Sequence, residues 1–121
     1  MRALVCKEYG PPSQLILDDL DDPKPSKGQI LIKVKAAGIN FPDVLSIEGK
    51  YQVKTEPPFI PGNEASGIIE AVGEGVERFK PGDQVITMSK GGAFAEKCVS
   101  DENTTIPLFS ALNFSQGAGF M

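Results

Sequence analysis

Glycine and proline divide this chain into short apolar runs, and this division limits what the chain can fold into. Thirteen glycines and ten prolines are spread along 121 residues. Turn signals that recur about every eight to twelve residues leave room for short strands and are typical of a β-sandwich or β-barrel. The length fits one domain. The sequence therefore predicts a mainly β domain.

The clearest strand pattern lies at residues 29–37. Its apolar residues recur with the two-residue period of a strand, so that they share one face. The residues on that face are Ile30, Ile32, Val34 and Ala36. Weaker patterns predict further strands at residues 2–9, 14–20, 67–72, 84–88, 93–100 and 104–108. Gly67, inside one of these patterns, indicates a bulge or a close approach of two backbones.

A helical pattern follows the clearest strand. Asn40 is a residue type that caps helices, Pro42 lies within the first two helical positions, and Asp43 lies in the first turn. Gly49 provides a stop signal. These residues predict two helical turns near residues 41–48.

Two segments complete the predicted organisation. Residues 51–62 contain three prolines and two aromatic residues, which predicts an ordered loop. Asn113 is placed to cap a second helix, with Gln116 at the capping-box spacing. The sequence reaches Met121 about two turns into that helix, which is too short to be stable alone. We therefore expect residues 1–110 to form the domain and residues 111–121 to begin a connection to a second domain.

Charge and hydropathy exclude several classes of partner. The net charge is −4 and the twelve basic residues are scattered, so no positive stripe is available for nucleic acid or an anionic membrane. No segment approaches the roughly 20 apolar residues of a membrane span. The first residues lack the apolar stretch of a signal peptide. These features predict a cytoplasmic protein that binds neither nucleic acid nor membranes.

Histidine is absent and cysteine is scarce. The chain therefore lacks an imidazole base and the commonest nitrogen ligand of transition metals. Cys6 and Cys98 lie far apart, without CxxC spacing. Two reduced, buried thiols are the simplest interpretation, and a disulfide or a metal pair is the alternative. We predict no metal site.

Several short motifs fall at fixed positions along the chain. They are GINFPD at residues 38–43, GNEASG at 62–67, GEG at 73–75 and KPGDQV at 80–85. With this spacing the sequence resembles the medium-chain dehydrogenase/reductase superfamily, specifically its N-terminal GroES-like, alcohol dehydrogenase-like domain. The resemblance covers essentially the whole chain, but only the front of a family member of about 300–350 residues, well beyond one average domain.

Two positions decide which branch of the superfamily the chain resembles. In the zinc-dependent branch, a cysteine in the first motif and a histidine in the second hold the metal. Here these positions are Asn40 and Asn63, and amides are not usual zinc ligands. The four-cysteine lobe of that branch is also missing after residues 80–85. The sequence thus resembles the zinc-independent quinone oxidoreductase branch, which implies a partly closed GroES-like β-barrel with one short helix and a truncated C-terminal helix.

The resemblance also implies a function. The complete protein would be an NADPH-dependent homodimer that reduces quinones or other α,β-unsaturated carbonyls by hydride transfer. No GxGxxG lies between a strand and a helix here, so the main nucleotide-binding domain would be missing and the chain alone would be inactive. The alternatives are a non-enzymatic GroES-like binding module and a zinc alcohol dehydrogenase-type domain, the latter disfavoured by Asn40 and Asn63.

By the same resemblance, Asn40 and Tyr51 line the nicotinamide and substrate pocket. Asn40 would bind cofactor, and Tyr51 would bind cofactor and act in catalysis. An amide offers an uncharged donor and acceptor, and a phenol offers a flat ring and a donor for a developing oxyanion. By residue type alone, helix capping explains Asn40 as well as ligand contact does, and packing in a core explains Tyr51 better than a role in the site. Asp43 is expected to compensate the positive end of its helix, and Glu64 to tie down backbone in its turn.

Overall fold

A computed structural model describes residues 1–120. Within this range the chain is mainly β. The strands are β1 (Arg2–Val5), β2 (Ile16–Asp19), β3 (Gln29–Gly38), β4 (Glu64–Val72), β5 (Gln84–Met88), β6 (Lys97–Asp101) and β7 (Thr105–Pro107). The α-helices are α1 (Phe41–Glu48) and α2 (Phe114–Ala118), and single 3-10 turns occupy Pro12–Gln14 and Glu102–Thr104. The predicted mainly β fold and both predicted helices are confirmed.

Five strands form one antiparallel sheet in the order β6-β3-β4-β5-β7, and β1 pairs with β2 in a separate two-stranded sheet. The two sheets are joined at the end of β1. The Leu4 N–H donates to the Phe94 carbonyl at 2.9 Å, and Cys6 forms a bridge with Phe59. The N-terminal strand pair is thereby fixed to loops that extend from the larger sheet.

The apolar core lies on the larger sheet. Its central side chains come from β3, β4, β5 and the turn before β5, and they are Ile30, Ile32, Ile69, Phe79 and Val85. The predicted apolar face of β3 therefore reaches the core at its first two positions. Helix α2 packs on the same sheet, where its Phe114 carbonyl accepts a hydrogen bond from Ser66.

Four predicted strand boundaries are wrong by two residues or more. Strand β2 begins at Ile16 instead of residue 14, because Gln14 belongs to a 3-10 turn. Strand β1 ends at Val5 instead of continuing to residue 9, and β4 begins at Glu64, three residues before the predicted start. Strand β6 begins at Lys97 instead of residue 93. The reason for the late start is that the Ala93 and Phe94 N–H groups donate to the carbonyls of residues 62 and 61, at 3.2 and 3.0 Å, and that Ala95 forms a single bridge with Ala3 of β1.

The predicted close approach at Gly67 is confirmed. A Cβ on this residue would lie 2.1 Å from the Lys33 carbonyl oxygen of β3. The pairing of β3 with β4 shifts register next to this point, between Val34 and Ala36. The two backbones can therefore pack this closely only because residue 67 has no side chain.

No helix within residues 1–120 is long and apolar enough to cross a membrane.

Gly67→Ala is expected to lower the free energy of unfolding by about 2–3 kcal/mol, because the clash is with main chain that cannot rotate away. Urea denaturation measures the loss. Gly119→Ala is the matched control, since a Cβ there would have no neighbour closer than 4.0 Å and should change stability by less than about 0.5 kcal/mol. Equal stabilities for the two variants would contradict the close approach.

Candidate functional site

A cleft of about 1350 Å³ lies beside the start of α1. Its walls include the first turn of α1, the loop at residues 51–62, the turn at residues 88–92 and parts of the N-terminal strand pair. Asn40 and Tyr51, the two residues predicted to form the site, both line this cleft. The structure thus brings them into one cavity from separate segments.

Asp43 anchors the first turn of α1 at the wall of the cleft. Its side chain is 2% exposed. Its Oδ2 accepts a hydrogen bond from the Asn40 N–H at 2.8 Å, which satisfies an orphan donor at the helix start. Its Oδ1 accepts from Asn63 Nδ2 at 3.1 Å. The structural role expected for Asp43 is confirmed, and it extends beyond its own helix to the neighbouring segment.

Glu64 has a different partner from the one expected. It lies in strand β4 rather than in a turn, and its Oε1 accepts a hydrogen bond from Asn40 Nδ2 at 3.0 Å. The Glu64 side chain is 4% exposed, whereas Asn40 is exposed to the cleft. The expectation that Glu64 ties down backbone in its own turn is therefore wrong, because its carboxylate holds the side chain of the N-cap residue of α1 instead.

Asn63 completes this cluster, and sequence reasoning missed its role. Its Nδ2 is used by Asp43, and its Oδ1 accepts from the Gly91 N–H at 3.0 Å. The Asn63 carbonyl also accepts from the Ser89 N–H at 2.7 Å. The sequence marked Asn63 only as the position at which the zinc-dependent branch has a metal ligand, which gives no indication of a partner in residues 88–92. Asn63 thus joins two walls of the cleft.

Burial sets the electrostatics of the cluster. It raises the pKa of the Asp43 carboxyl above its ordinary value of 3.8, and the hydrogen bond from the Asn40 N–H counteracts part of this rise. The neighbouring Glu64 carboxylate raises the pKa of Asp43 further. The fold therefore disfavours the charged form of the Asp43 carboxyl relative to the unfolded chain.

Tyr51 lies in a loop whose later part, residues 59–62, is held on two sides by main-chain hydrogen bonds. The loop pairs with the end of β1 through the Cys6 N–H and the Phe59 carbonyl, at 2.8 Å, and with the 92–94 segment through the Gly92 N–H and the Ile60 carbonyl, at 2.8 Å. The ordered loop predicted for residues 51–62 is confirmed. The other tyrosine, Tyr9, donates its hydroxyl to the Thr55 carbonyl at 2.7 Å and so supports this wall from behind.

The two cysteines are buried and free, in agreement with the simplest sequence interpretation. Cys98 lines the cleft from β6, and burial raises the pKa of its thiol. A thiol in this state is poorly nucleophilic. Within residues 1–120, no group of three His, Cys, Asp or Glu side chains is arranged to hold a metal ion.

The fold and the cleft together define the class of protein. Residues 26–119 match the sequence profile of the alcohol dehydrogenase GroES-like domain, and the chain belongs to this family, within the medium-chain dehydrogenase/reductase superfamily. The family predicted from the short motifs is thereby confirmed.

Several proteins that are similar to this chain are quinone oxidoreductases. The quinone oxidoreductase of Rattus norvegicus is 44% identical over 120 residues, which is 98% of this chain and 36% of that protein. The human quinone oxidoreductase is 40% identical over the same shares. The crystal structure of Escherichia coli quinone oxidoreductase complexed with NADPH matches with a TM-score of 0.94 at 30% identity, over 100% of this chain and 37% of that one. The chain thus spans little more than a third of the length of these oxidoreductases.

We compare the free energy of unfolding of the native chain with that of an Asp43→Asn variant. The native chain is expected to lose stability relative to the variant as the pH rises from about 4 to about 7. Because the pKa of Asp43 is raised in the fold, the folded chain binds this proton more tightly than the unfolded chain does. The contribution of Asp43 to stability is therefore fully present below its ordinary pKa of 3.8 and is lost as the pH rises through the folded pKa. Urea unfolding at several pH values measures the stability difference.

Asp22→Asn is the control with the opposite sign. The pKa of Asp22 is lowered by the hydrogen bond from Lys97 and by the N-terminal amino group. Its contribution is present above pH 3.8 and is lost as the pH falls, so the native chain should gain slight stability relative to this variant as the pH rises. The hydrogen bonds that Lys97 donates to Asp22 and Glu70 in turn raise the pKa of Lys97 to about 12. If the stability differences for Asp43→Asn and Asp22→Asn changed in the same direction with pH, the role of burial at Asp43 would be refuted.

Proposed function

We propose that this chain is the front part of the catalytic domain of an NADPH-dependent, zinc-independent oxidoreductase that reduces quinones or related α,β-unsaturated carbonyls. Residues 1–110 would form the domain portion, and residues 111–121 would begin the connection to a nucleotide-binding domain. The observation that carries the proposal is that Asn40 and Tyr51 line one cleft in a chain whose relatives are named quinone oxidoreductases.

The residues of the cleft fit a nicotinamide. Asn40 reaches the cleft with an uncharged amide, of which one hydrogen is used by Glu64, so a further donor hydrogen remains for a carboxamide. The NADPH complex of the E. coli relative supports this cofactor for the complete protein. When bound, the nicotinamide supplies the hydride.

The side chains of this chain then bind and polarise the substrate. The Tyr51 ring offers an apolar surface for a flat quinone or enone, and its hydroxyl can donate to the oxygen on which negative charge develops. The polar atoms of Asn63 are already used by Asp43 and Gly91, which leaves this position unsuited to a metal. Carbonyl polarisation by Tyr51 therefore takes the place that a Lewis acid holds in the zinc-dependent branch.

In the complete protein, Asn40→Ala and Tyr51→Phe are expected to slow quinone reduction. Loss of an oxyanion-type donor typically lowers the rate about 100- to 1000-fold. The effect of Tyr51→Phe should be smaller, because a quinone is easily reduced and the ring remains. Steady-state kinetics on both variants test this expectation.

Thermal melts of the same variants separate a catalytic role from a capping role. If Asn40 acted only as a helix cap, Asn40→Ala would lose about 1 kcal/mol of stability and keep near-normal turnover. Asn103→Ala is the control, since Asn103 is exposed on the single turn at Glu102–Thr104 and lies outside the cleft. Unchanged kinetics in both site variants would remove them from the site.

The isolated chain is expected to bind NADPH weakly or not at all. The main phosphate-binding element, a helix N-terminus after a glycine-rich turn, would belong to the nucleotide-binding domain. Titration calorimetry measures the affinity. A dissociation constant in the micromolar range for the 121-residue chain would show a nucleotide site within it.

A further inference from the structure

Gly38 lies directly opposite Glu64 in the pairing of β3 with β4. A Cβ on Gly38 would lie 2.0 Å from Glu64 Oε1 and 2.7 Å from both Cδ and Cγ. Gly38 is not one of the glycines with positive φ, so its backbone conformation does not require glycine. What requires glycine here is space, because the Glu64 side chain lies across the position that a methyl group would fill.

The oxygen that occupies this space is the one that binds Asn40. Glu64 Oε1 accepts from Asn40 Nδ2 at 3.0 Å, and Glu64 is almost fully buried while Asn40 is exposed to the cleft. A carboxylate has no hydrogen to donate, so the amide nitrogen of Asn40 must face Glu64 and the amide oxygen must point away from Glu64. Charge assistance makes this a strong hydrogen bond.

We propose that Glu64, seated over Gly38, is a positioning residue that fixes the orientation of the Asn40 side chain at the wall of the cleft. An exposed asparagine would otherwise lose rotational freedom each time a ligand bound to it. Holding the amide in place beforehand removes that loss from the binding step. The benefit to NADPH binding rests on the proposed function, whereas the orientation of Asn40 does not.

The first test measures the mobility of Asn40 in the chain itself. The probe is the heteronuclear NOE of its side-chain ¹⁵N–¹H₂ group in an isotope-labelled sample. We expect a rigid amide in the native chain and in Glu64→Gln, whose carbonyl can accept the same bond. We expect a mobile amide in Gly38→Ala, where the new methyl group displaces the carboxylate, and in Glu64→Ala.

Gly38→Ala keeps the test decisive even if Glu64→Ala fails to fold. Its clash is with the Glu64 side chain and not with main chain, so a change of the Glu64 rotamer can relieve it and the fold should survive. Gly10→Ala is the matched control, because a Cβ there would lie 2.0 Å from Gln14 Oε1, another side-chain end, outside the cleft. It should leave Asn40 rigid. A rigid Asn40 amide in Gly38→Ala would overturn the proposal.

The second test uses the complete protein. Gly38→Ala should raise the KM for NADPH about tenfold with a smaller effect on kcat, as expected when a charge-assisted contact that aids binding is lost. Glu64→Gln should retain more affinity than Glu64→Ala. An active reductase whose KM is unchanged by Gly38→Ala, despite a mobile Asn40, would refute the functional part of the inference. A protein without reductase activity whose Asn40 is still released by Gly38→Ala would refute the proposed function and support the positioning.

Discussion

Two carboxylates are buried where α1 meets β4, and a buried carboxylate must be supplied with hydrogen-bond donors. The donors that Asp43 and Glu64 receive come from Asn40 and Asn63, and the Asn63 side chain in turn accepts from the Gly91 N–H. The start of the helix, the start of the strand and the turn at residues 88–92 are therefore held at fixed positions relative to one another. The cleft keeps its shape because three of its walls are joined through this cluster.

The register of the sheet brings these groups together. Strand β3 runs directly into the residues that precede α1, and its last residue pairs with the first residue of β4. Asn40, the N-cap residue of α1, thus lies at the same end of the sheet as Asn63 and Glu64. A shift of one residue would turn the Glu64 side chain to the opposite face, away from Asn40. The site consequently depends on the same backbone pairing that builds the core.

The parts of the structure that sequence could predict are those determined by local chemistry. Pro42, Asp43 and Gly49 delimit α1 correctly, and Gly67 marks the close approach of two strands. The start of β4 at Glu64 and the late start of β6 were not predictable in this way, since both depend on partners about 25 or more residues away. The same limit applies to the site. Motifs identified Asn40 and the family, but nothing in the local sequence indicates that Glu64 and Asn40 form a hydrogen bond.

The loop at residues 51–62 differs from the other cleft walls in what gives it shape. Its prolines restrict the backbone, and its main-chain bonds to the end of β1 and to residues 92–94 hold it on both sides. Several of its side chains, among them Tyr51, Val53 and Thr55, line the cleft. The main-chain bonds lie at residues 59–62, so an exchange of the Tyr51, Val53 or Thr55 side chain would leave these bonds in place. Substitutions at these three positions would therefore change the chemistry of the cleft wall without removing the bonds that hold the loop in place.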